Sequence, residues 1–347
     1  MSYYYEYELG KAAKILCEDL FKLKPGETFV ITADTECEKR VIDATATAAF
    51  ACDAKPMVIY TASPLGVGKA ADPMLPLESL TAALLKTDAW VTFNNKYLLY
   101  STPYDIAIKE NKKLRFMTLT GLNVDTMVRT IGRVDYPNLE KFIKLITQKT
   151  LSAKHMRITA PAGTDVEFNN EPGRKVGMKL GYDDTPIYHS MPGQISWAPN
   201  FESINGIIVF DGSIYPPIGI LKESVRLTIK KGEIVKIEGG NEAIEFEKWL
   251  KSFNHPQMLK LAHACYGFNP GARLTGRVSE DERIWGATNW GLGQVGDKHV
   301  PGGIPGPSHT DGICLNSSVW LDGVQIMDKG RLLDPELKKL AEKLGKV

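Results

Sequence analysis

Between Leu9 and Thr147 helical and strand patterns alternate with a regularity that few folds accommodate. Apolar residues recur at helical spacing from Leu9 to Phe21 until Pro25-Gly26 breaks them, and Thr28 to Ala33 reads as a buried strand. An alanine-rich helix is expected over Glu36 to Cys52, with Thr35 as its cap. Further strands fall at Pro56 to Tyr60, Ala89 to Phe93 and Leu114 to Leu119. Helical stretches at Leu77 to Lys86 and Pro103 to Glu110 separate them, and Pro137 to Thr147 closes the series. Such alternation implies a parallel sheet with helices on both faces. Gly66-Val67-Gly68-Lys69 lacks the third glycine of a dinucleotide fingerprint and the spacing of a P-loop, so it reads as a plain loop.

From Lys154 the texture changes. Met156 to Ala160 and Thr164 to Phe168 flank a Pro161-Ala162-Gly163 turn, Ile207 to Gly212 is another strand, and Ser224 to Ile229 pairs with Ile234 to Ile237 as a hairpin. One helix, Asn241 to Phe253, is expected to start at an Asn241 cap. The expected fold is therefore an α/β N-terminal domain with a parallel sheet, residues 1–150, followed by an α+β domain, residues 151–347.

The net charge of +1 and the absence of basic blocks argue against nucleic acid or an anionic membrane as partner. Five cysteines without a CxxC pair fit a reducing cytoplasm, and neither a signal peptide nor a membrane span is evident.

The chemistry concentrates late in the chain. His309 and Asp311, in Pro307-Ser308-His309-Thr310-Asp311-Gly312, precede the alternating run Ile313 to Leu321 and are expected at the start of a strand. Residues two apart on a strand project to one face, so imidazole and carboxylate share one space. His263, in Leu261-Ala262-His263-Ala264-Cys265, is the best candidate for a third ligand. Two histidines and one carboxylate with open positions opposite suit non-haem Fe(II), although Zn or Mn also accepts this set. His155, His255 and His299 match no motif and are expected in solvent. Trp197, Trp285 and Trp290 lie near these segments and are candidates for either core or an aromatic pocket.

Several segments together resemble the thermophilic metalloaminopeptidase (aminopeptidase T-like) family. They are Arg157-Ile158-Thr159 with Gly163-Thr164-Asp165, Met191-Pro192-Gly193, Ala198-Pro199, Asn269-Pro270-Gly271-Ala272-Arg273 and Ser308-His309-Thr310-Asp311. That family's two-metal site uses glutamates and histidines. Here Gln194 and His263 stand where it has glutamates, and Asn289 where it has a histidine; His309 and Asp311 match. Without those acids a bridged pair of dications lacks its balancing charge. The substituted pattern resembles the family's 2,5-dihydroxypyridine 5,6-dioxygenase branch, which implies one Fe(II) on His263, His309 and Asp311. The resemblance also implies a proton-transfer role for His189, and puts Tyr100 where the branch carries a pocket histidine.

The expected function is thus a mononuclear Fe(II) dioxygenase that opens a hydroxylated nitrogen heterocycle with O2. The alternative is a metallohydrolase, an aminopeptidase or amide or lactam hydrolase, that ionises water on the same three ligands. Arg273 and Glu282 are expected either to steady the ligands or to form an ion pair, while Ser308 and Thr310 are candidates for contact with a substrate oxygen. The resemblance further implies a homo-oligomer.

Overall fold

The computed structural model describes residues 5–173, 188–297 and 299–346, and of residues 188–190 the backbone alone. The chain forms two compact units. One comprises Met1–Val134 and Lys179–Pro192, the other Asp135–Met178 and Gly193–Val347. The division falls before the helix Tyr136–Ser152 rather than near Thr150, because that helix packs its Phe142 on Phe268 and Trp285 of the second unit.

The first unit holds a five-stranded parallel sheet ordered Lys55–Thr61, Thr28–Asp34, Ala89–Thr92, Arg115–Thr118 and Tyr188–Ser190. The inner strands Ala89–Thr92 and Arg115–Thr118 are buried at every position, as expected of strands covered on both faces. Over them Leu80 and Leu84 of Leu77–Leu84, with Tyr104 and Ala107 of Thr102–Glu110, pack on Val30, Trp90 and Phe116. The last strand, paired through Met117↔His189, is supplied by a return of the chain that no local pattern announces. The helix after the first strand is Lys39–Ala51, and Glu38 rather than Thr35 holds its cap position. Thr35 instead accepts a hydrogen bond from the Ser63 amide, and Asp34 engages the Glu36 amide and the Cys37 thiol, which delays helix entry.

The second unit is built on two antiparallel sheets. Eight strands run Glu233–Glu238, Val225–Lys230, Asn205–Phe210, Asp165–Asn169, His155–Thr159, Ser318–Leu321, Val324–Asp328 and Arg331–Leu332. Six run Gly219–Ile220, Ser213–Tyr215, Ile304–Cys314, Thr288–Val295, Leu261–Gly267 and Gln194–Trp197. The helix Asn241–Ser252 starts after Gly240, so Asn241 is its first residue and not its cap.

The two sheets meet face to face: Phe168 of the larger packs edge-on against Trp290 of the smaller, and Gly312 leaves room for the Phe210 ring. Trp290 and Gly312 of the six-stranded sheet point to this interface, and the residues that alternate with them along their strands face away from it. No helix among the described residues is long and apolar enough to cross a membrane.

Candidate metal centre

His263 projects from Leu261–Gly267, and His309 with Asp311 from Ile304–Cys314. The strand Thr288–Val295 runs between them and places Gly291 opposite both His263 and Asp311, and Gly293 opposite His309. A Cβ on Gly291 would lie 2.3 Å from Nε2 of His263. The glycine therefore makes the hollow into which the imidazole reaches across the sheet. The motif sits well inside its strand rather than at its start. Beyond Cys314 the chain turns at Asn316, with φ of 51°, and joins the other sheet, so the run to Leu321 is divided between two strands.

The three donors converge. Nε2 of His263 and Nε2 of His309 are 3.1 Å apart, and each lies 3.3 Å from a carboxylate oxygen of Asp311. Metal–ligand bonds of about 2.0–2.2 Å place neighbouring ligands roughly 3 Å apart, which is this spacing. His309 Nδ1 is 2.7 Å from the Gln294 carbonyl. A carbonyl only accepts, so Nδ1 carries the proton and the Nε2 lone pair faces the site. Asp311 Oδ1 is buried and receives no hydrogen bond. A buried anionic oxygen without a donor is a costly arrangement for the protein alone. A cation resolves it, so these residues fit a metal ion.

Burial alone would raise the Asp311 carboxyl, but the neighbouring imidazoles, His309 at 3.3 Å first and then His263, hold it well below the usual carboxylate range. Burial pulls His309 down, and Asp311 more than reverses this, lifting the imidazole above its ordinary value. Glu282 is paired with Arg283, 2.5 Å away.

Strand parity decides where the other candidates point. Gln194 and Ser196, which pair with Gly267 and Cys265, and Asn289, which also pairs with Cys265, share the ligand face. The Asn289 amide donates to the Glu282 carbonyl, while its Oδ1 is buried without a hydrogen bond. Ser308 and Thr310 alternate with the ligands and so belong to the opposite face. The Thr310 hydroxyl is spent on the Pro216 carbonyl, which corrects the expectation that this pair meets substrate. Trp197 and Trp290 both pair with Ala264 and face the same way as Thr310. Trp197 packs edge-on with Tyr266 and Trp290 is core, so neither lines a pocket at the ligands. Trp285 packs with Phe142 and Phe268. Arg273 is exposed, and its backbone amide serves Glu280; Arg283, not Arg273, is the ion partner of Glu282.

One correction adds a residue to the site. His299, expected in solvent, is 2 % exposed, stacks on His263 and hydrogen-bonds Ser196. Nothing local marks it, since it stands alone in a loop and meets His263 only through the fold. His155 is exposed near Glu167, and His255 caps the short helix Pro256–Leu259. Tyr100 lies in the first unit at φ of 68°, a costly conformation for an aromatic residue, with its ring edge-on to Tyr104. The His189 backbone lies on Tyr188–Ser190, and its side chain is outside the described residues.

A parallel α/β unit joined to an antiparallel unit is the aminopeptidase T architecture. The chain superposes on AmpT from Thermus thermophilus with a TM-score of 0.70 at 14% identity, covering 95% of this chain and 100% of that one. It superposes on 2,5-dihydroxypyridine dioxygenase from Pseudomonas putida KT2440 with a TM-score of 0.77 at 20% identity, covering 96% and 99%. At these identities the likeness is one of fold. In sequence, residues 17–334 match the model of the 2,5-dihydroxypyridine 5,6-dioxygenase family, and the chain belongs to that family. A curated relative, the 2,5-dihydroxypyridine 5,6-dioxygenase of Pseudomonas putida KT2440, is 28% identical over 209 residues. That match spans 56% of this chain and 59% of the relative, less than two thirds of its length.

Proposed function

We propose that this chain is a mononuclear non-haem Fe(II) dioxygenase that opens a dihydroxylated nitrogen heterocycle of the 2,5-dihydroxypyridine class, with O2 as co-substrate. The observation that carries the reading is the buried convergence of two imidazole nitrogens and an unsatisfied carboxylate oxygen in a chain of this family. His263, His309 and Asp311 would hold the ion by three adjacent positions and leave those opposite for substrate and O2. When bound, iron supplies the redox chemistry that brings O2 onto an electron-rich ring, and a 5,6-dioxygenase breaks the C5–C6 bond with both oxygen atoms retained in the product.

The protein's own share is geometry, proton handling and exclusion of water. All three ligands are buried, so the charges on them act in a medium of low polarity. Glu282, tied to Arg283, is assigned to steadying the ligand set. On the ligand face Asn289 Oδ1 offers a buried acceptor for a substrate N–H or O–H, and Gln194 offers an amide. On the resemblance of their motifs, His189 is assigned proton transfer at a substrate hydroxyl and Tyr100 a hydrogen bond that orients the ring. The five cysteines, all free of disulfides, fit a reducing cytoplasm, and the family resemblance supports a homo-oligomer.

The likeness to AmpT supports a metallohydrolase on Zn or Mn as the second reading. An oxygen electrode separates the two. Protein loaded with Fe(II) under anaerobic conditions should consume O2 in step with 2,5-dihydroxypyridine, and His309→Ala should abolish this. Turnover that proceeds equally without oxygen would favour the hydrolase.

A further inference from the structure

We propose that His299, anchored by Ser196, is a positioning residue that fixes the plane of the His263 imidazole and thereby sets metal affinity. The proposal rests on the metal-centre reading above and adds a residue to it. His299 lies in the loop 296–303 between the strands Thr288–Val295 and Ile304–Cys314. The loop is pinned into tight turns by hydrogen bonds from the His299 and Val300 amides to the Gly296 carbonyl, and from the Gly302 amide to Asp297. It delivers His299 onto the ligand face, where its ring stacks on His263 with centroids 4.8 Å apart and planes within 23°. Nε2 of His299 is 2.5 Å from the Ser196 hydroxyl, and Ser196 sits beside Cys265 on the neighbouring strand.

These contacts leave His263 little freedom. Its Nδ1 edge meets the Cys265 sulfur at 3.1 Å, the space toward Gly291 admits no Cβ, and the His299 ring walls it at stacking distance. A ligand imidazole can bind only when its Nε2 lone pair points at the ion, so each rotation removed beforehand lowers the cost of binding. The usual device is a hydrogen bond from the outer ring nitrogen to a carboxylate or carbonyl. His309 has it through Gln294, and at His263 the outer nitrogen meets the Cys265 sulfur. The stacked His299 adds a restraint on the ring plane. Its nitrogens are not part of the donor group formed by His263, His309 and Asp311 among the described residues, so it acts through His263.

The test uses Co(II) as the probe in the full-length protein. Affinity is measured by competition with a chromophoric chelator, coordination by the d–d spectrum, and folding by circular dichroism. His299→Ala should weaken Co(II) binding roughly 10–100-fold, the range for loss of a residue that orients a ligand. His299→Phe, which keeps a flat ring, should recover most of this, and His299→Gln should not. Ser196→Ala should weaken binding in wild type but add little in the His299→Ala background, because the two act as one unit. A His263→Ala control separates the failures. If His263→Ala loses Co(II) while His299→Ala binds with wild-type affinity and spectrum, the positioning role is overturned and the metal centre stands. If His263→Ala binds as wild type does, the metal centre falls and the positioning role with it.

Discussion

A methyl group at position 291 would sit 2.3 to 2.7 Å from three atoms of the His263 ring, closer than any packed carbon tolerates. Gly291→Ala should therefore turn the imidazole out of its hollow while strand pairing persists. Metal affinity should fall roughly 10–100-fold, as for loss of ligand orientation, with the circular dichroism spectrum unchanged. Asp281 tests the electrostatics away from the ligands. It is fully buried, accepts from Ser213 and the Thr275 amide, and burial pushes its carboxyl up to about 6. An acid whose folded value exceeds its unfolded value of about 3.9 stabilises the fold fully below that point. The contribution, up to about 3 kcal/mol, is lost as pH rises through 6. Asp281→Asn keeps the acceptor for the Thr275 amide and should remove this slope. Denaturant unfolding at several pH values, read as the difference between variant and wild type, checks it.

Strand parity explains both what was legible in the sequence and what was not. His309 and Asp311 two apart announced a shared face, and the structure brings them with His263 to one point. The same rule puts Thr310, Trp197 and Trp290 on the opposite face, but it could be applied to them only once the pairing of Ala264 with both tryptophans was known. His299 and Gly291 had no sequence signal, because a loop histidine and a strand glycine acquire meaning only from the neighbour that the fold provides. Trp197→Phe supplies the corresponding test. It removes the hydrogen bond to Asn170 Oδ1 and part of the edge-on contact with Tyr266, so stability should drop by about 1–3 kcal/mol. Co(II) affinity should not move, and a parallel loss would return Trp197 to the ligand face.

For the whole chain, the alternation of helix and strand defined the first unit well: the expected strands at Thr28, Pro56, Ala89 and Leu114 are found within a residue or two at each end. The boundary was less legible, since a helix looks the same locally whichever unit it packs on. The fifth strand of the parallel sheet was missed because its partner, Met117, lies far away in sequence from His189. A ligand bound only by the folded state stabilises it by mass action, about 2.7 kcal/mol at a hundredfold excess over Kd. Adding Co(II) should thus raise the melting temperature of wild type, and chelator should reverse the shift, with neither effect in Asp311→Ala. The most direct measurement is metal stoichiometry after anaerobic reconstitution with Fe(II). A single ion per chain, lost together with 2,5-dihydroxypyridine-dependent O2 uptake on changing any one of His263, His309 or Asp311 to alanine, is the predicted result. A pair of ions per chain, or full retention of iron in those variants, would contradict it.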